Sequence, residues 1–411
     1  MKKLLLSIIV VLITLPTIAK TDGAKSYDFD LYGFIRNDFF YNSRSNAASV
    51  NDLFYIYPLD EQFDATGADL NELPSSSFYS FVTRLGLNIE GPNVGKATAT
   101  AKIEIDFGGY SNMNTLLRIR QAYLNLDWES GSSLLLGQTW HPLFGSVMPY
   151  VANLSTGCPF QPFNRSPQIR YQYNTNGLKL TAAAICQLQY TSSGPNGSSN
   201  EYLANGCIPE FYAGLDYSIN GLIVGGGVDM LNIKPRTSAT VDGATYKVDE
   251  MMTSVSGEVH MRYTNKKFSI GAKSIVASAL DHTLMLGGYG VTSISSETGE
   301  QEYTPLHNST SWVNISYGQK WKPYIFAGYT KNLGSSEELI STDTIYGRGT
   351  DIDQLLGAYL GLSYNMPHWT CAVEYSSTTA WYGDINLASG RVENTHDVSN
   401  NRVVAIMSYL F

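Results

Sequence analysis

The chain has 411 residues, 27 of them basic and 36 acidic, and only 15% are charged. Its 28 Tyr, 16 Phe, 6 Trp and 37 Gly fit a large twisted sheet with aromatic girdles better than a helical enzyme. The acidic balance argues against nucleic acid as a partner, and four cysteines are too few for a disulfide scaffold.

The first segment, MKKLLLSIIVVLITLPTIAK, sets Lys2 and Lys3 ahead of an apolar run from Leu4 to Ile13, with a cleavage position after Ala19. These are the three parts of a secretory signal peptide, so 1–19 is expected to be removed. A retained anchor needs about 20 apolar residues, and Pro16 interrupts the run too soon. No later run is long enough for a transmembrane helix, which leaves 20–411 as one exported domain.

Alternating segments of a length that crosses a bilayer as tilted strands follow at 28–41, 79–90, 97–108, 115–128, 132–141, 167–174, 177–190, 208–219, 221–232 and 250–264. In ATATAKIEIDF, Ala97, Ala99, Ala101, Ile103, Ile105 and Phe107 share one face, and Thr98, Thr100, Lys102, Glu104 and Asp106 the other. The segment 266–294 reads as one long or interrupted strand, and 309–320, 321–333, 351–365, 368–381 and 398–411 complete sixteen. Counting 266–294 as two would put the chain ends on opposite sides, and eighteen strands is the other even count. Short connectors such as GPNVGK, ESGS, NTNG and Asn220-Gly221 alternate with long insertions at 42–78, 142–166, 191–207 and 233–249. The fold class expected is therefore an all-β, closed antiparallel transmembrane barrel in the outer membrane, with short periplasmic turns and long extracellular loops. Closure requires the last strand, with Tyr409 and Phe411, to pair with the first, around Phe29, Leu31, Gly33 and Ile35. Trp128, Trp140, Trp312, Trp321, Trp369 and Trp381 fall near strand ends, as headgroup-level girdles would. Cys158 and Cys207 lie in loop-like segments and could pair, whereas Cys186 and Cys371 suit small buried strand positions.

The insertion 142–166 carries Phe144, Met148, Tyr150, Phe160 and Phe163 with several prolines, so it is expected to fold inward and narrow a pore. The alternative is a loop docked over the barrel mouth. Arg118 and Arg120, then Arg165 and Arg170, cluster around it, and Arg36 and Arg84 could join them. Guanidinium groups at a narrow point attract carboxylate or phosphate solutes and disfavour cations. Arg118 and Arg120 share parity with Ala122 and Leu124, so they face the lumen only if a bulge changes the phase or if they project beyond the bilayer. The alternative role for them is ion pairing with Glu104 and Asp106. Acidic groups collect at Asp52, Asp60, Glu61, Asp64 and Asp69, and at Glu337, Glu338 and Asp343. That spacing lacks the glycine turn and bidentate Glu of a calcium loop, so loop-bound calcium is not assigned. His141, His260, His282, His307, His368 and His396 show no zinc spacing, and no nucleophile-elbow or P-loop sequence occurs. No enzyme, cofactor, catalytic residue or metal site is expected.

The stretch RIRQAYLNLDWESGSSLLLGQTWHPLFGSVMP, followed by NRSPQIRYQY, resembles the corresponding region of DcaP-like porins of Gram-negative outer membranes; the detailed likeness covers 118–173. The Asn/Tyr-rich character is also similar to general porins of Bacteroides-like bacteria. The first resemblance implies a sixteen-stranded, usually homotrimeric porin with an inward constriction loop and passive diffusion of small hydrophilic, often anionic, solutes. It implies Arg118, Arg120, Arg165 and Arg170 near the constriction, Gln138 and Trp140 positioning the loop base, and Tyr409 and Phe411 read by the outer-membrane assembly machinery. Many relatives carry an N-terminal coiled-coil extension, whereas this chain passes from its signal almost directly into SYDFDLYGF. The competing expectation is a surface-binding or structural barrel with a blocked lumen.

Overall fold

The structure, a computed structural model, describes residues 27–109 and 115–411, and the expected signal peptide lies outside the described residues. The wall is built from β1 (Asp28–Asn42), β2 (Ser75–Tyr79 continuing as Arg84–Glu90), β3 (Ala97–Asp106), β4 (Arg118–Trp128), β5 (Ser132–Trp140), β6 (Arg165–Thr175), β7 (Leu178–Ile185) and β8 (Glu210–Ile219). It continues through β9 (Leu222–Ile233), β10 (Met252–Thr264), β11 (Phe268–Ser278), β12 (Gln301–Tyr317), β13 (Trp321–Ser335), β14 (Ile352–Met366), β15 (Trp369–Asn386) and β16 (Arg391–Leu410). Each pairs antiparallel with its sequence neighbour, giving a closed sixteen-stranded barrel of the outer-membrane type.

The seam joins β1 to β16 from Phe34 opposite Leu410 to Asn42 opposite Arg402. Gly33 and Phe411 then exchange backbone hydrogen bonds of 3.0 and 3.1 Å. A Cβ on Gly33 would fall 2.4 Å from the Arg84 carbonyl and 3.0 Å from the Phe411 ring, so the glycine admits the close approach of β2 and leaves room for that aromatic. With both ends paired, no wall strand is left as an unsatisfied edge in lipid.

Outward positions are apolar and exposed, for example Val259, Val313, Leu360 and Val373, while their sequence neighbours turn inward and are buried. Trp321 and Trp369 sit exposed at the short-turn end, as girdle residues do. Trp312 departs from the girdle expectation: it is only 3% exposed and packs in the interior against Phe326, because its parity on β12 points it inward. All four cysteines are free thiols, so Cys158 and Cys207 do not pair.

The interrupted segment 266–294 supplies one wall strand, β11, followed by a turn at Asp281–Thr283 that leaves the wall. Its second part, Gly287–Ile294, pairs with Ile345–Arg348 and with the loop-side end of β12, forming a small sheet above the barrel. Strands β12 to β16 reach further toward the long loops than their apolar alternation indicates. In β16 the added stretch, RVENTHD, is polar but for the buried Val392.

Candidate functional site

The segment 141–164, called L3, leaves β5 and returns to β6 through the inside of the barrel. Its base is closed by the His141 amide donating to the Asn164 carbonyl at 2.9 Å. Trp140 stacks on Phe144 with centroids 4.0 Å apart, and Phe163 meets Trp140 edge-on at 5.1 Å. Lys273, on the far side at β11, donates to the carbonyls of Leu143 and Phe144 at 2.7 and 3.1 Å. Trp312 Nε1 donates to Gln161 at 2.9 Å. Further along, Asn314 accepts from the Tyr150 amide at 2.8 Å, and Glu374 accepts from the Ala152 amide at 2.7 Å. Arg36 donates to the Ala152 carbonyl at 3.0 Å, so the tip is held from β1, β12 and β15 together.

Phe160 anchors the middle of L3. Its ring lies against Gly328 on β13 and Gly357 on β14; a Cβ on Gly357 would fall 2.5 Å from that ring. Two glycines on neighbouring inward positions therefore form the socket. Beside L3, the hairpin Asn46–Ser49/Phe54–Pro58 from the first long loop joins the same apolar cluster through Phe54, Ile56 and Tyr57.

Arg118 and Arg120 both point inward because β4 carries a bulge. Glu104 pairs with Gln121 and the next position, Ile105, pairs with Ile119, leaving Arg120 as the extra residue. Gln138 stabilises this irregularity by donating to the Ile119 carbonyl at 3.1 Å. Arg118 bonds Asp106 at 2.8 Å; Arg120 bonds Asp106 and Glu104, each at 2.9 Å. Arg84 lies 3.7 Å from Glu104 and Tyr32 donates to it at 2.9 Å, which completes a ladder along the wall.

Arg165 is placed differently. It is 0% exposed, donates to the Tyr190 hydroxyl at 2.6 Å, and lies over the rings of Trp140, Phe163 and Tyr190 at 4.7, 5.1 and 5.4 Å. Arg170 bonds Gln168 and the Trp140 carbonyl. Among the described residues neither arginine has a carboxylate within ion-pair distance. The four arginines singled out in the sequence thus form two sets, one paired with acids and one without.

Three cavities succeed one another along the interior, with a further one of about 370 Å³ beside the middle cavity that shares Ser146, Lys179 and Asp216 with it. On the long-loop side, about 240 Å³ is lined by Arg118, Arg120 and Arg348 with Phe54, Phe163 and Tyr190, and by no Asp or Glu. A middle cavity of about 190 Å³ is lined by Arg170, Lys179, His260 and Asp216 under Trp140 and Ser146. Toward the short turns, about 680 Å³ is lined by Arg262 and Lys322, again with no acid. Of the seven Lys and Arg on these linings three are ion-paired, Arg118 and Arg120 with Asp106 and Glu104, and Lys179 with Asp216 at 2.5 Å; Arg170, Arg262, Lys322 and Arg348 have no carboxylate within ion-pair distance among the described residues. Sequence reasoning passed over Arg348 because its loop strand reaches the mouth only by pairing with Gly287–Ile294. It also passed over Lys179, Arg262 and Lys322, although their inward parity in alternating strands was a usable signal.

The acidic first loop uses its carboxylates internally. Asp69 bonds Arg44 at 2.6 Å and Asp64 accepts from the Thr66 and Ala68 amides at 2.7 and 3.0 Å.

No family model matches the sequence, and no curated protein does. Among solved structures the fold is similar to the outer membrane channel DcaP of Acinetobacter baumannii, with a TM-score of 0.66 at 18% identity, covering 95% of this chain and 99% of that one. It is also similar to the outer-membrane expressed OmpT of Vibrio cholerae, with a TM-score of 0.54, 13% identity and coverage of 95% and 100%. The anion-selective porin from Comamonas acidovorans aligns with a TM-score of 0.53 and 11% identity, covering 94% and 100%. At these identities the likeness is one of fold, a distant relation to several porins with no single family distinguished.

Proposed function

We propose that this chain is an outer-membrane porin of the DcaP-like kind, passing small hydrophilic solutes by passive diffusion and favouring anions. The observation that carries the reading is the set of interior cations without a carboxylate partner among the described residues, Arg170, Arg262, Lys322 and Arg348 on the cavity linings, in a chain whose overall charge is acidic. An anion entering from the loops meets Arg118, Arg120 and Arg348, then Arg170 and Lys179, then Arg262 and Lys322. Arg165 adds positive potential from behind the aromatic wall, and Gln138 and Trp140 hold the base of L3, which acts as the constriction. In a narrow, poorly solvated passage such groups replace part of an anion's hydration and repel cations. The same reading includes export on a cleaved signal peptide, assembly as a homotrimer, and recognition of the strand carrying Tyr409 and Phe411 by the assembly machinery.

Planar-bilayer recording on the purified, folded protein tests this. Discrete openings and a reversal potential showing anion preference are expected, and R165A/R170A and R118A/R120A should each reduce that preference. Openings with unchanged selectivity in both double variants would remove these arginines from the filter. The second reading, a binding or structural barrel with a blocked lumen, is favoured by the packing of the Asn46–Pro58 hairpin and L3 across one side of the interior. Absence of openings above the protein-free baseline would select it.

A further inference from the structure

Behind the His141 edge of the middle cavity, four ionisable side chains meet in the dry interior. His141 opens L3, Glu210 begins β8, Asp229 lies on β9, and His282 sits in the turn Asp281–Thr283 of the loop after β11. All four are essentially inaccessible to solvent. The ligand atoms of His141, Glu210 and His282 lie within 4.8 Å of one another. Glu210 Oε1 is 3.1 Å from His141 Nε2 and 2.9 Å from His282 Nε2, and Asp229 Oδ1 is 3.9 Å from His141 Nε2.

The hydrogen-bond arrangement of this cluster is incomplete. Among the described residues, both Asp229 oxygens, Glu210 Oε2 and His282 Nδ1 are buried without a hydrogen-bond partner. Two carboxylates held side by side out of water are costly unless a cation compensates them. Among the described residues no Lys or Arg ion-pairs with either, so the charge is balanced either by protons held within the cluster or by a divalent ion, which cancels two carboxylates beside two neutral imidazoles.

We propose that His141, Glu210, His282 and Asp229 hold a divalent transition-metal ion of the zinc class, a structural site that pins the base of L3 to the neighbouring loop and to the barrel wall. Bonds of about 2.0–2.2 Å at tetrahedral angles set ligand atoms roughly 3.3 Å apart, close to the spacings around Glu210. Imidazole nitrogens with carboxylates suit zinc, whereas calcium and magnesium take oxygen shells. Asp229 closes the shell by moving toward His282, which gives its unpartnered oxygens a ligand. Each ring then carries its proton on Nδ1. For His282 that atom is unpartnered, and for His141 it faces the Leu143 amide, 3.1 Å away, which gives up its contact as the metal enters. The middle cavity, which His141 lines, is the route in. The site does not depend on solute transport and would exist equally in a closed barrel.

The test uses the folded protein in detergent, stripped with EDTA, equilibrated with zinc chloride and freed of excess ion. Elemental analysis should find one zinc per chain, and heat-modifiable gel mobility should shift to higher temperature and return with EDTA. H141A/H282A and the near-isosteric E210Q should lose that equivalent. H396A, which removes the exposed His396 that bonds Asp60 at 2.7 Å, should keep it. Cobalt chloride provides an arm that needs no substitution: a tetrahedral visible spectrum is expected from the unaltered chain. Zinc retained equally by H141A/H282A, zinc lost with H396A, or an octahedral cobalt spectrum would overturn the assignment.

Discussion

Arg120 shows what one charged residue does in this wall. It bonds Glu104 and Asp106 at once, and all three side chains are almost fully buried. Arg120→Ala leaves both carboxylates undercompensated, a loss of about 3–5 kcal/mol by the usual cost of breaking a buried pair. Adding Glu104→Gln should restore part of it, which unfolding midpoints of the single and double variants in lipid vesicles will show. The inward direction of Arg118 and Arg120 was not readable from strict alternation, since the apolar run of β4 assigns them to the lipid side. Only the bulge reverses that, and its support, Gln138, comes from the next strand. The acids that pair with them were readable, because Glu104 and Asp106 stand on the polar face of β3.

At the scale of elements, wall strands were legible where apolar and polar residues alternate in the membrane and illegible above it, where both faces meet water. The hairpin Asn46–Ser49/Phe54–Pro58 was hidden in a long polar insertion, although FYIYP is buried at every position and so breaks the surrounding pattern. L3 depends on its socket. Gly357→Val should expel Phe160 from the wall and raise single-channel conductance while lowering anion preference; unchanged conductance would mean that L3 does not set the pore width. The first loop should respond to acid. For Asp64, the Ala68 and Thr66 amides hold the carboxyl below its ordinary 3.8. For Asp69, burial pushes upward, but the Gln62 and Asn71 amides and Arg44 outweigh it and the net shift is also downward. Depressed folded values stabilise the loop fully above the unfolded value of about 3.9 and lose that contribution as pH falls through the lower folded values. Amide-exchange protection at Gln62, Ala68 and Asn71, taken relative to the unstructured rate at each pH, should therefore fall only below about pH 4, and Asp69→Asn should show reduced protection already at neutral pH.

For the whole molecule, closure and charge distribution are the properties that matter. The ring of strands is complete only when β1 meets β16, with Phe411 seated over Gly33. Removing Phe411 should reduce the fraction of heat-modifiable barrel before it alters selectivity, and normal assembly with changed selectivity would reverse that assignment. The carboxylates divide between exposed loop positions, such as Glu61 and Asp64, and buried interior ones, such as Glu104, Asp106 and Glu374, which are taken up in ion pairs and hydrogen bonds. Net charge is thus a poor guide to what a barrel admits. Inward parity, read strand by strand, is the better one.

The bulge in β4 has an evolutionary reading. Because Arg120 is the surplus residue, deleting it outright leaves Gln121 opposite Glu104 and Ile119 opposite Ile105, a regular ladder with every neighbour still on its own face. A one-residue deletion elsewhere in the strand would turn water-facing groups toward lipid. The Arg120 deletion should therefore fold into a barrel, whereas deleting Leu124 should not. Position 120 is a place where a lineage can add or drop a lumen charge through an indel, keeping the reading frame of the sheet.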